Sequence, residues 1–183
     1  MSIPTGRALL DPYAILLTTG LDLNMHYADF GAGTLGHFVF AASDFVGPKG
    51  RVYAVDILKS VLESIEGRTR AEQLTNITTI WGDCERKGGV KISPASLDLV
   101  SMVNFSVLTH PNSAALSEAS RLLKSDGKLL VVDWKPGDEA FGPPSGKRLD
   151  QAHIQPIIEQ AGFRLLKTFT AGPYHWGLLF TKS

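Results

Sequence analysis

Cysteine is all but missing from this chain: Cys84 is the only one in 183 residues. A lone cysteine excludes an intrachain disulfide and any CxxC metal site, and no metal centre is expected. A surplus of one charge is also missing, because eighteen Lys and Arg balance eighteen Asp and Glu. No global positive field therefore draws the protein to nucleic acid or to an anionic membrane. The densest basic stretch, Arg86-Lys87-Gly88-Gly89-Val90-Lys91, reads as a solvated loop. No apolar run approaches the roughly 18 residues that span a bilayer. Met1 to Pro12 lacks the cationic region and apolar run of a signal peptide. Cytoplasmic residence without a membrane span is the resulting expectation. Internal repeats and low-complexity tracts are absent too.

What is present is a globular composition, with 44% hydrophobic and 20% charged residues. The length suits one domain over residues 1–183, with 1–24 as an N-terminal helical extension. Residues 7–20 read as a helix interrupted near Asp11-Pro12. Strand and helix signals then alternate. Met25 to Phe30 is a short extended run ending at glycines. Leu35, Phe38, Val39, Ala42, Phe45 and Val46 follow helical spacing, and Gly47-Pro48-Lys49-Gly50 turns the chain. Arg51 to Val55 is β-rich and closes at Asp56. Leu58, Val61, Leu62 and Ile65 mark a helix face, and Ile77 to Trp81 a third strand.

The second half keeps the rhythm. Leu97 to Phe105 is apolar enough for a strand buried on both faces. Leu116, Ala119 and Leu123 share a helix face. Ser125-Asp126-Gly127 breaks the chain before a fifth strand, Lys128 to Val132. Ile154, Ile157, Ile158 and Ala161 give the next helix, with Asp150 as N-cap and Pro156 set to kink it or shift its start. Phe163 to Thr170 and Tyr174 to Thr181 read as a closing hairpin. Strands separated by helices imply βαβ units and a doubly wound α/β fold. The hairpin makes the last strand antiparallel, so a seven-stranded, mostly parallel sheet with helices on both faces is predicted. Val52, Val55, Ile80, Leu99, Val100, Leu130 and Val131 are its predicted core. The long irregular segment Lys135 to Lys147 leaves the fifth strand at the edge where open α/β sheets bind ligands.

The strongest local signal is Asp29-Phe30-Gly31-Ala32-Gly33-Thr34-Leu35-Gly36, between a strand and a helix. Glycines there allow a tight turn and close approach of a ligand to the backbone. The motif alone also matches a dinucleotide-binding fingerprint. Three carboxylates add to it. Asp29 stands where it can reach the amino group of an amino-acid moiety. Asp56 ends the second strand, where a carboxylate accepts from ribose hydroxyls. Asp83, after Gly82, ends the third, where it can accept from an adenine amino group. Each is also at home as a turn residue or helix cap. Together they describe a ligand with an ammonium, a ribose and an adenine laid along one sheet edge.

With these segments the chain from about Tyr27 to Lys182 resembles the class I S-adenosylmethionine-dependent methyltransferase family, near its quinone-biosynthesis branch. The resemblance rests on ADFGAGTLGHF, VYAVDI, WGDCE, LDLVSMVNF, RLLKSDGKLLVVDW, the FGPP loop, AGF and GPYHWGLLF. It implies a strand order of 3-2-1-4-5-7-6. It implies that Asp29, Gly31 and Gly33 hold the methionine part of S-adenosyl-L-methionine and that Asp56 binds its ribose. Ile57 would pack on the adenine, Asp83 and the Cys84 backbone would read its edge, and Asn104 would sit near the methyl group. The family's loop more often reads G-x-G-x-G, and Leu35 is one extra residue here. Val103-Asn104-Phe105-Ser106 is not the Asn-Pro-Pro-aromatic signature of enzymes that methylate amide or base nitrogens.

Methyl transfer from a sulfonium is a direct displacement that needs alignment above all. A general base helps only when the nucleophile must lose a proton. His110 and Asp133 are the candidate bases, with His37 behind them; His26 and His153 read as remote, and Tyr174 and His175 as packing groups. Trp134, Phe141 and Trp176 are candidates for an aromatic pocket. The expected acceptor is a small molecule, with RNA as the second class. The alternatives are an NAD-dependent oxidoreductase, for which 183 residues leave little room, and a catalytically silent cofactor-binding partner subunit.

Overall fold

A computed structural model describes residues 9–105, 113–137 and 141–183. Helix α1 spans Pro12–Thr19. Its start is written in the sequence: the Asp11 carboxylate accepts from the Tyr13 and Ala14 amides, and Pro12 occupies the first turn, where no amide hydrogen is needed. Asp11-Pro12 thus begins the helix instead of interrupting it. Gly20, in the left-handed region, ends it.

The chain then alternates: β1 His26–Phe30, α2 His37–Val46, β2 Arg51–Asp56, α3 Lys59–Ala71, β3 Ile77–Trp81, β4 Leu97–Val103, α4 Ala114–Leu122 and β5 Leu123–Trp134. A short 3-10 turn at Ser145–Lys147 precedes α5, Gln151–Gln160; β6 Phe163–Gly172 and β7 His175–Lys182 close the fold. The strands form one sheet in the order β3-β2-β1-β4-β5-β7-β6. The first five run parallel, and β7 is antiparallel to both β5 and β6. This is the order that the family resemblance implied, with the antiparallel strand that the closing hairpin predicted.

Each face of the sheet carries its own apolar cluster. Ile15 and Leu16 of α1, Val39 and Ala42 of α2 and Ile65 of α3 cover Tyr27, Val52, Leu99, Leu130 and Val132 on one face. Leu116 and Ala119 of α4 and Ile154 and Ile158 of α5 cover Ala28, Val55, Val100, Leu129 and Val131 on the other. Central strands buried on both sides explain why their sequences read as near-continuous apolar runs. Of the seven predicted core residues, six are buried, and Ile80 is half-buried because β3 is an edge strand.

Two strand boundaries differ from the sequence reading, and the start of α5 matches it. Strand β4 stops at Val103, since Asn104 takes a left-handed backbone with φ of 53°. Strand β5 begins at Leu123, directly after α4. Its register jumps from Leu97 opposite Leu123 to Leu99 opposite Lys128, so Ser125-Asp126-Gly127 lies within an irregularity of the strand and does not break the chain. Helix α5 keeps Pro156 in its interior and starts where Asp150 caps the Ala152 amide at 3.1 Å.

Candidate functional site

Parallel β1 to β5 deliver their carboxyl ends to one edge, where ligands bind in open α/β sheets. The turn after β1 is built for close approach. Gly31 and Gly33 have φ of 74° and 66°, a region that side chains resist. The Gly31 and Ala32 amides donate to the Val55 carbonyl at 2.9 and 3.1 Å, tying the loop to β2. Leu35, the extra residue of the loop, is turned to solvent, and Gly36 takes a left-handed backbone to start α2.

A cavity of about 670 Å³ opens against this loop, lined by Leu9, Leu10, Asp29, the 31–38 turn, Val103 and Asn104. A second, of about 470 Å³, lies beyond the ends of β2 and β3 against Ile57, Trp81, Asp83 and the 86–91 loop. Both volumes are in the range of small-molecule sites. Asp56, at the end of β2, accepts from the Gly33 amide at 3.3 Å and the Leu58 amide at 2.9 Å. A carboxylate has about four acceptor positions, so it keeps capacity for two hydroxyls. Asp83 accepts from the Glu85 amide at 2.8 Å, which leaves its second oxygen for another donor. Ile57 is exposed beside it, and Cys84 is buried behind. Burial, then the nearby Asp83 and Asp56 carboxylates, pushes the Cys84 thiol up, away from thiolate chemistry.

Asp29 is buried on β1, and the Ser101 hydroxyl of β4 donates to it at 2.5 Å. Tyr27 shares a hydrogen bond with the same Ser101 hydroxyl, also at 2.5 Å. Burial pushes the Asp29 carboxyl up to about 7, against the lowering effect of Ser101 and Tyr27. An ammonium placed beside it would restore the charged form.

The edge thus brings together Asp29, Gly31, Gly33, Asp56, Ile57, Asp83, Cys84 and Asn104. It does not bring Asp133 to them. Along β5, Val132 belongs to the face covered by α1 to α3, and Val131 to the other. Strand alternation puts Asp133 with Val131, opposite Trp176 and away from the glycine-loop cavity. His37, first residue of α2, is exposed and lines that cavity. His110 lies outside the described residues.

Sequence reading missed the supports. Glu118 of α4, fully buried, accepts from the Gly88 and Val90 amides at 2.8 and 3.1 Å and pairs with Arg121 at 2.6 Å. Burial raises its pKa, but the hydrogen bonds from Arg121, Gly88 and Val90 hold it below the usual range. This group fixes the 86–91 loop that walls the second cavity. Only the Glu118–Arg121 spacing on a helix hinted at it.

A family model described as a methyltransferase domain matches residues 21–162. The chain belongs to the methyltransferase domain family. Among curated relatives, the ubiquinone/menaquinone biosynthesis C-methyltransferase of Cupriavidus necator is 29% identical over 174 residues, covering 77% of this chain and 69% of that protein. Human arsenite methyltransferase is 31% identical over 116 residues, covering 60% of this chain and 31% of that protein. The chain thus spans about two thirds of the first relative and a third of the second. A crystal structure of a SAM-dependent methyltransferase from Aquifex aeolicus superposes with a TM-score of 0.87 at 25% identity, over 99% of this chain and 94% of that one. By family and fold this methyltransferase uses S-adenosyl-L-methionine as its methyl donor. Among the described residues, no helix is long and apolar enough to cross a membrane.

Proposed function

We propose that this methyltransferase acts on a small molecule that enters beside Leu9 and Leu10 and meets the methyl donor over the ends of β4 and β5. The observation that carries the reading is the 670 Å³ cavity, which the glycine turn, the 9–10 segment and Asn104 line together. S-adenosylmethionine supplies a methyl already activated by its sulfonium charge, so the chain's task is placement.

Each part of the edge has a role in that placement. Gly31 and Gly33 let the backbone approach the methionine portion, and Asp29 faces its ammonium. Asp56 accepts from the ribose hydroxyls. Ile57 covers one face of the adenine, while Asp83 and the Cys84 backbone meet its polar rim. Asn104, on its left-handed turn, borders the reacting methyl. The named activities of the quinone-biosynthesis relatives and the zero net charge favour a small acceptor over RNA, because nucleic-acid binding draws on phosphate contacts.

Two measurements test this. S-adenosylhomocysteine should raise the melting temperature and NAD should not. Labelled methyl donor then transfers label to a metabolite pool and not to RNA. A melting shift with NAD alone, or RNA-dependent turnover with steep salt dependence, would overturn the reading.

A further inference from the structure

At the β7 end of the same sheet edge lies a histidine that the cofactor cleft does not use. His175 is fully buried, and neither imidazole nitrogen has a hydrogen-bond partner among the described residues. A buried polar group left unpaired lowers stability. Such a group in a folded protein calls for a reason, and one reason is a ligand.

The surroundings suggest which ligand. His175 pairs in register with Trp134 across β5 and β7, and their ring centroids are 4.3 Å apart. Phe141 packs edge-on against Trp134 and Tyr174. Gly142 lies flat on the indole, so close that a Cβ there would stand 2.8 Å from the ring. Arg148 fixes this 141–148 segment by donating to the carbonyls of Pro143, Phe141 and Lys135. Most of its residues are exposed or half-buried, so the Arg148 bonds and the contacts with Trp134 hold the cover down. Burial, then the Lys135 and Arg148 cations, pushes the His175 pKa down to about 4. Near neutral pH its ring therefore offers one donor and one acceptor.

His175 lies on the cavity's side of the sheet. Alternation puts Trp134 and His175 on the face of Val132 and Leu179, the face that Val103 and the cavity share. The register partner of His175 on β6 is Gly172, which lies against the Leu9 carbonyl. Leu9 in turn lines the 670 Å³ cavity.

We propose that His175 is a specificity-determining residue of the methyl acceptor, binding the hydroxyl of an aromatic ring that stacks at Trp134 once the 141–148 cover yields. The aromatic walls suit a flat ring. The neutral imidazole, with one donor and one acceptor, suits its hydroxyl. The inference rests on the small-molecule reading above and adds its chemistry.

The test uses protein loaded with S-adenosylhomocysteine and two probes of like shape, 4-methylphenol and toluene, titrated by NMR. Wild type should bind 4-methylphenol at least tenfold more tightly than toluene, and the phenol should shift the His175 imidazole nitrogens. The variant His175→Phe should keep its affinity for S-adenosylhomocysteine and bind the two probes equally. A preference retained in His175→Phe overturns the inference. So does wild type that binds the cofactor product yet shows no hydroxyl preference and no imidazole shift, a measurement that needs no variant to fold. Wild type that fails to bind S-adenosylhomocysteine overturns the methyl-transfer reading itself, and the inference falls with it.

Discussion

The two ends of the sheet's carboxyl edge are built on opposite principles. On the β2–β3 side the polar groups are met locally. Asp56 accepts from two amides, Asp83 from one, the Trp81 indole donates to the Ile57 carbonyl, and Glu118 gathers two amides and Arg121. On the β5–β7 side His175 has no partner among the described residues, and the hydrogen bond found for Asp133 comes from the next residue's own amide. A site for an invariant cofactor can be finished before the cofactor arrives. A site for an acceptor keeps polar capacity in reserve, at a cost in stability.

The largest effect should come from unmaking the finished side. Glu118→Ala strips two backbone amides and an arginine of their buried acceptor, which should cost about 3–5 kcal/mol, as when one partner of a buried ion pair is removed. Chemical denaturation measures it. A loss below about 1 kcal/mol would mean that solvent reaches the 86–91 loop and that the two sides are less different than they look. Asp56→Ala comes next. Loss of charge-assisted hydrogen bonds to ribose should weaken S-adenosylhomocysteine by about 1–3 kcal/mol in calorimetry. Unchanged affinity would remove Asp56 from the site.

Asp29 should give a smaller, pH-dependent effect. Its carboxyl is pushed up to about 7, and binding a cation beside it selects the ionised form. Below pH 7 binding must then release a proton, so affinity for S-adenosylhomocysteine rises with pH by up to about tenfold per unit and levels off above 7. In Asp29→Asn this slope below pH 7 should vanish. A slope that survives the substitution would assign it to another group.

The same contrast explains what could be read without coordinates. The proposed cofactor side is encoded locally: glycines that take positive φ at 31 and 33, and carboxylates at the ends of β1 to β3. The α/β class was legible because buried parallel strands and amphipathic helices alternate in the chain, and the strand order came from the family resemblance. The proposed acceptor side is encoded at a distance. Trp134, Phe141, Gly142, Arg148 and His175 meet only when β5, the 141–148 segment and β7 are packed, and no spacing announces it. Glu118 was hidden for a similar reason, since the amides it serves lie about 30 residues away. The strand boundary at Leu123 was lost because leucine suits helix and strand alike, and only the register with Leu97 decides.

Asp133 should give the smallest effect on turnover, and its insignificance would sharpen the comparison. A carboxylate beside Trp134 at the end of β5 makes a natural candidate base, and burial pushes it up to about 6, a value suited to proton transfer. Yet alternation turns it to the α4–α5 face, with the sheet between it and the glycine-loop cavity. Asp133→Asn should therefore leave methyl transfer within about twofold of wild type. Its trace should appear in stability instead. A carboxyl whose folded pKa exceeds its unfolded value binds more protons in the native state, so its contribution is full below about pH 4 and is lost as pH rises to about 6. Wild type should lose stability relative to Asp133→Asn across that window and run parallel to it above. A turnover loss of a hundredfold or more with stability unchanged would place Asp133 in the chemistry and make the β5 end, not His175, the reactive side of the acceptor pocket.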